Sequence, residues 1–222
     1  GNMNTFLFNN PYDMDMDIVC LQETKLQDNA EETQLKLPKN IKETYPYRYW
    51  NSTKGTTQRK GFSGTGIWSK TEPIGEIAPP ELDEEGRITA LEFPTFNIVT
   101  IYTPNSGSKF AHRISVWNAI FTEFITELHN KKPTFICGDL NVCNEDIDIH
   151  NPNRHRNITA GFLDVERQQF KEYLKIGYKD VYRNIYPTQA GAYTWWSPFN
   201  RKTRENNSGW RLDYFLASEH EP

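Results

Sequence analysis

Cysteine is scarce: Cys20, Cys137 and Cys143 are the only three in 222 residues and form no paired framework. All stand at or beside apolar, β-favouring runs, so buried free thiols in a reducing compartment are expected rather than disulfides or a zinc site. Long apolar runs are missing too. Nothing is long enough to span a bilayer, and no signal-peptide pattern appears, so the expectation is a soluble, intracellular chain without membrane partners. An excess of positive charge is also lacking, since 25 Lys and Arg face 29 Asp and Glu for a net charge of −4. No global field therefore argues for nucleic acid. That argument is weak, because an enzyme holding a catalytic cation needs acids in its site and bases only around it. Basic runs are local: Lys54 to Lys60, Arg154-His155-Arg156, and Arg201-Lys202-Thr203-Arg204. Finally, none of His112, His129, His150, His155 and His220 stands in a Ser or Cys nucleophile motif, and most read as surface residues.

What is present is an α/β pattern. Strand-like segments recur at 17–22, 62–69, 86–93, 96–103, 133–139 and 210–217. Between them, Phe110, Ile114, Trp117, Phe121, Ile125 and Leu128 fall at three- and four-residue spacing, which predicts a helix over 108–129 with one apolar stripe. A second helix is predicted over 164–176, with Asp164 as N-cap and Phe170, Tyr173 and Leu174 inward. A shorter one is expected over 25–37, ahead of Pro38. Joints rich in Gly, Pro and Asn at 104–108, 151–161 and 197–209 read as loops. Without repeats or a linker, residues 1–222 read as a single mixed α/β domain.

Three apolar runs carry a carboxylate at or near an end: Asp17 to Glu23, Thr134 to Asp139, and Gly209 to Leu216, which contains Asp213. Strand ends are where an α/β protein gathers acids from distant positions into one mouth. Carboxylates collected there suit a hard divalent cation, and phosphate ester cleavage is the chemistry they support. A lone Glu23 is also read as a solvated strand end. Asp139 and Asn141, two apart, can point the same way and hold a water for attack on phosphorus; a plain strand-end turn explains them equally well. Pro104 ends the strand before it and presents Tyr102 and Asn105 at the mouth, as phosphate contacts or as a structural corner. Trp195, Trp196 and Trp210 interleave with Arg201, Lys202, Arg204 and Arg211, the mix of stacking and phosphate contact that nucleic-acid surfaces use; core packing is the alternative, Trp196 above all.

The motifs occur in a telling order. Leu21-Gln22-Glu23-Thr24-Lys25, Gly61-Phe62-Ser63-Gly64, Glu85-Gly86-Arg87, Tyr102-Thr103-Pro104-Asn105, Gly138-Asp139-Leu140-Asn141, Ala160-Gly161-Phe162, Tyr193-Thr194-Trp195-Trp196 and Gly209-Trp210-Arg211-Leu212-Asp213-Tyr214 follow one another. Together they resemble the exonuclease III family of apurinic/apyrimidinic (AP) endonucleases, within the endonuclease/exonuclease/phosphatase superfamily, from about Asp17 to Ser218. The resemblance implies a four-layer α/β sandwich, two mixed sheets flanked by helices. It implies a monomer that hydrolyses duplex DNA 5′ to an abasic site with Mg²⁺, or Mn²⁺, in base excision repair, with 3′→5′ exonuclease or 3′-phosphodiesterase side activities. The nucleus of a eukaryote, otherwise the cytoplasm, is the implied location, with the mitochondrion as a further one. Glu23 would be a metal ligand. Asp139 would activate the attacking water with Asn141 fixing it, and Tyr102 and Asn105 would contact the scissile phosphate. Trp195, Trp210 and Leu212 would line the pocket for the flipped-out sugar, Arg201 and Arg204 would contact DNA, and Asp213 matches the acid that orients the family's catalytic histidine. The family's opening strand, Ser-Trp-Asn-Val-Asn-Gly, and its closing Ser-Asp-His strand have no counterpart here; Asn4, Asn9, Asn10 and Glu219-His220 lie in other contexts. The expectation is a fold truncated at both ends, and the alternative function is an impaired abasic-DNA binder without nuclease activity. Ser108 stands near where some relatives place a DNA-inserting arginine.

Overall fold

The computed structural model describes residues 16–26, 37, 39–54 and 61–218. Most of the expected helix over 25–37 and of the basic run 54–60 lies outside these residues, as do Asn4, Asn9, Asn10 and Glu219-His220.

Alternation of side chains across pleated strands produces two sheets. The strands β1 (Ile18–Gln22), β2 (Tyr47–Asn51) and β3 (Thr65–Ser69) form an antiparallel sheet in the order β1-β3-β2. The second sheet contains β4 (Gly75–Ile77), β5 (Ile88–Glu92), β6 (Asn97–Tyr102), β7 (Thr134–Asp139), β8 (Tyr178–Asp180) and β9 (Asp213–Ser218). Its order is β4-β5-β6-β7-β9-β8, and β6 and β7 are its parallel pair. A parallel pair needs a long crossover, and residues 106–131 supply a helical one.

Period two then sorts the core. In β3, Ile67 faces the space between the sheets, shared with Leu91, Phe93 and Ile98. Its neighbour Trp68 faces outward, under Ile41 of α1 (Lys39–Thr44). On the far side, Ile88, Val99, Ile101 and Ile136 meet the helices that cover the larger sheet. The layers are therefore helix, three strands, six strands, helices: the expected four-layer α/β sandwich. Fully burying a side chain such as Phe121 contributes roughly 1.5–3 kcal/mol.

The crossover departs from one expectation. It is not one α-helix but α2 (Ser106–Ala111), a π-helical stretch His112–Trp117, and α3 (Asn118–Lys131). Lys109 breaks the α2 geometry with φ −120° and ψ 32°. A kink and a π-turn both shift the phase of the residues before them, so Phe110 leaves the predicted stripe and is 48% exposed. Trp117, Phe121, Ile125 and Leu128 keep their inward positions. A smaller correction concerns α5. After the short α4 (Pro152–His155), α5 spans Asp164–Ile176, and its N-cap is Leu163, not Asp164. The Asp164 carboxylate accepts from Asn157 instead, while Glu166 takes the backbone N–H groups of Gly161 and Leu163. Phe170 and Tyr173 are buried as expected. The strands β2, β4 and β8, the short α6 (Val181–Ile185) and α7 (Lys202–Glu205) were not expected; α4 and α7 fall inside segments read as loops.

Candidate active site

Register places the acids. Tyr102 pairs with Asp139 across β6 and β7, and Asp139 with Asp213 across β7 and β9. Three residues at one register share a face of the sheet. Gly138 makes the close approach possible: at φ 135°, an added Cβ would stand 2.1 Å from the Ile101 carbonyl oxygen. The smaller sheet brings in Glu23. Gln22 donates from Nε2 to Thr100 Oγ1 at 2.7 Å, which ties the end of β1 to β6. Glu23 itself has φ 51°, in the left-handed region, just before the backbone bonds that Thr24 and Lys25 donate to Gly64 and Ser63. A non-glycine residue held there is strained, a feature that clusters at functional sites. Its carboxylate pairs with Lys25 at 3.0 Å and lies within hydrogen-bonding reach of the Tyr102 phenol.

Asp139 and Asn141 do come together, but by a turn rather than by strand period. Asn141 has φ 48°, its backbone N–H donates to Asp139 Oδ1 at 2.7 Å, and its Nδ2 donates to Asp139 Oδ2 at 3.2 Å. The turn and the shared site are thus one feature. Asn141 Nδ2 also donates to the Thr103 carbonyl at 2.8 Å, and its Oδ1 accepts from Asn105 Nδ2 at 3.2 Å. Asn105 in turn caps α2, accepting from Gly107 N at 2.9 Å. The amide of Asn141 is therefore locked in one orientation, with its carboxylate partner beside it.

Electrostatics make this mouth unusual. Burial pushes the Asp139 carboxyl up to about 8, with help from the negative charges of Asp213 and Glu23 and opposition from the Asn141 N–H and Arg113. The Tyr102 phenol is likewise raised, first by burial and then by the Glu23 charge. A buried acid facing two further carboxylates is what a bound cation relieves. Among the described residues no three Asp, Glu, His or Cys side chains form a ready-made cage. Mg²⁺ keeps several waters and takes one or two carboxylates, so Glu23 with a neighbouring acid fits it.

The indoles are adjacent, but the recess beside them is lined by Trp195, Trp196, Arg201 and Arg204, while Trp210 and Leu212 pack into a buried cluster with Phe162. Trp195 and Trp210 meet edge to face at 6.0 Å, and each donates a backbone N–H to the other's carbonyl. Trp210 is 9% exposed and Leu212 is 8% exposed, whereas Trp195 is 41% exposed and forms the open wall. Thr194 Oγ1 accepts from the N–H groups of Leu212 and Asp213, joining this wall to the acids. Trp196 is half-buried, with the Arg204 guanidinium over its ring at 5.1 Å. Arg201 and Arg204 are exposed on the α7 loop. His155 packs edge-on against Trp210 at 5.0 Å.

Several residues went unnoticed in the sequence. Arg113 is fully buried and donates to the carbonyls of Pro104 and Leu140, bracing from behind the turns that carry Asn105 and Asn141. Asp148, with no exposure, accepts from both Arg211 and Arg183, and Arg211 also binds Asp180. Their partners are 31 to 63 residues apart, which no local pattern reveals. Phe199 is another: an apolar residue between Pro198 and a basic run, it is 98% exposed.

Comparison with known proteins agrees with this geometry. Residues 4–221 match the model of the Endonuclease/Exonuclease/phosphatase family. An exodeoxyribonuclease of Bacillus subtilis (strain 168) is 43% identical over 211 residues, 92% of this chain and 78% of that protein. The DNA repair nuclease APEX1 of Danio rerio is 41% identical over 212 residues, covering 92% of this chain and 64% of that protein. Among solved structures, the 3′ phosphatase NExo (D146N) from Neisseria, bound to a product DNA hairpin, superposes with a TM-score of 0.77 at 25% identity, over 97% of this chain and 79% of that one. A turn-locked Asp–Asn pair at a sheet mouth, on a chain so matched, makes this protein a member of the endonuclease/exonuclease/phosphatase family, in its exonuclease III and AP endonuclease branch.

Proposed function

We propose that this chain is a divalent-metal-dependent DNA repair nuclease that hydrolyses the phosphodiester 5′ to an abasic site in duplex DNA. The observation that carries the reading is the Asp139–Asn141–Asn105 chain of hydrogen bonds, set beside the edge-to-face pair of Trp195 and Trp210 and a recess lined by Trp195, Trp196, Arg201 and Arg204. The 3′ phosphatase and exodeoxyribonuclease relatives support 3′-end processing as a side activity.

Asp139 holds and orients the attacking water and takes its proton, while Asn141 keeps the carboxylate aimed. Tyr102 and Asn105 donate to the phosphate oxygens at the β6 end. Glu23 would hold the divalent cation, with Asp139 or Asp213 as the acid beside it. When bound, such an ion neutralises charge that develops on the phosphate. A flipped-out sugar without its base would enter the recess beside Trp195, where an indole wall meets the basic loop. Phe199, projecting from the basic loop, is suited to wedge between base steps and hold the duplex open. Arg201 and Arg204 set register on the backbone.

The test is incision of an end-labelled duplex containing one tetrahydrofuran abasic analogue, beside an undamaged duplex, with Mg²⁺ and with chelator. The expected result is metal-dependent incision 5′ to the analogue alone. Tight binding without incision would favour the second reading, an abasic-DNA binder.

A further inference from the structure

A buried group of charges stands immediately beside the proposed phosphate-binding edge, and the chemistry above leaves it idle. Arg87, 3% exposed, begins this group just before β5. A buried guanidinium persists only where it is paired, and Glu85 Oε2 accepts from its Nε at 2.5 Å. Pairing alone would explain burial. What it does not explain is that Arg87 grips a single residue, Tyr102, in three ways. The Arg87 carbonyl accepts the Tyr102 N–H at 2.9 Å. Its Nη1 donates to the Tyr102 carbonyl at 2.8 Å. Its Cζ lies 4.6 Å from the centre of the Tyr102 ring, in cation–π contact.

Tyr102 is the last residue of β6, where a strand would otherwise fray and its side chain sample several rotamers. Fixing N–H, carbonyl and ring together leaves the phenol one direction, toward Glu23 and Asp139. The clamp is itself held. Glu85 also binds Lys109, the residue at the kink in α2. Phe62 closes the far side, 5.4 Å from Arg87 Cζ and 4.9 Å from Lys109 Nζ.

We propose that Arg87 is a positioning residue for Tyr102, and that Glu85, Lys109 and Phe62 form the clamp that lets it act. The inference rests on the functional reading above, in which the Tyr102 hydroxyl meets the phosphate. Displacing a contacting group by about 1 Å lowers a rate roughly 10²-fold. Loss of the clamp should therefore appear in the chemical step and not in DNA affinity.

A double-mutant cycle in single-turnover incision tests this. Tyr102→Phe removes the hydroxyl and should slow incision roughly 10²-fold, as for loss of one positioned donor. Arg87→Lys keeps the charge but loses the planar fork, and should slow incision about tenfold with the dissociation constant for abasic duplex within about twofold. In the Tyr102→Phe background the same Arg87→Lys change should make less than a twofold difference. Lys109→Met, at a partly exposed position, provides a second arm should Arg87→Lys fold poorly; its smaller effect should vanish in the same background. Equal slowing with and without the hydroxyl would overturn the proposal, because a general structural defect is additive. The ring resonance of Tyr102 in ¹³C-tyrosine-labelled protein gives a reading that needs no activity. It should move in Arg87→Lys and in Lys109→Met, and an unmoved resonance also overturns the clamp. A wild-type protein that incises no abasic duplex would overturn the functional reading separately.

Discussion

Asp148→Asn should be among the most damaging single-atom exchanges in this protein. Asp148 Oδ1 accepts from Arg211 Nε at 2.8 Å and Arg183 Nη2 at 2.6 Å, and Oδ2 accepts from Arg211 Nη2 at 3.0 Å and Glu145 N at 3.0 Å. Replacing one oxygen by an amide nitrogen removes the charge and turns a donor toward a guanidinium. Breaking a buried ion pair in this way costs about 3–5 kcal/mol. The lower end applies, because Arg211 keeps Asp180 at 2.6 Å and still stacks on Tyr214 at 4.3 Å. For a domain of this size each kcal/mol shifts the midpoint by about 2–4 °C, so a fall of roughly 6–12 °C is expected. Asp146→Asn is the control: its side chain is 52% exposed and pairs with Arg156 and Arg167, so less than about 1 kcal/mol should be lost. Thermal and urea unfolding of the two variants would be compared at low and high salt, the Asp148 effect being the less screened. Because Arg211 leads directly into Leu212 and Asp213, KM for abasic duplex should rise as well. An Asp148→Asn protein within 1 kcal/mol of wild type, or equal to Asp146→Asn, would refute the reasoning.

Three further outcomes are expected. Asp139 keeps its proton to about pH 8 when folded, but an unfolded chain loses it near 3.8; between these values the native state binds more protons, so its stability falls as pH rises. Calorimetry in chelator should show that slope from pH 5 to 8, flattened in Asp139→Asn; an unchanged slope in the variant would contradict the assignment. Adding Mg²⁺ should recover the midpoint more at pH 8 than at pH 5, and Glu23→Gln should lose the recovery. Phe199→Ala, at a side chain that supports nothing in the fold, should leave the midpoint unchanged yet weaken binding to abasic duplex by about tenfold, on the order of one stacked base; equal binding would dismiss the wedge.

The layers were readable because a sheet writes its period into sequence. Val19 and Leu21 alternate with Ile18 and Cys20, and each pair enters a different core. The acids were readable for a related reason: Glu23 and Asp139 close such runs, and the ordered motifs around them resemble one family. The helical crossover was misread at Phe110 because a kink and a π-turn change phase without leaving a mark in apolar spacing. Asp164 has the chemistry of an N-cap, but the extended residue that precedes the helix is Leu163, and Asp164 is already in the first turn. The Arg211–Asp148–Asp180 cluster unites charges far apart in the chain, and Arg87, though beside its partner Glu85, meets Tyr102 only through the fold, as Arg113 meets the Leu140 carbonyl. Asp139 and Asn141 were assigned to one place for a reason the geometry replaces, a left-handed turn instead of a strand face.

The central claim is that Asp139 performs chemistry at a site built to bind abasic DNA. Single-turnover incision and binding of a tetrahydrofuran-containing duplex, measured on the same preparations of wild type and Asp139→Asn with Mg²⁺, test it most directly. The account predicts equal affinity within a few-fold and a rate lowered by at least about 10²-fold in the variant. Incision by Asp139→Asn at the wild-type rate would contradict it.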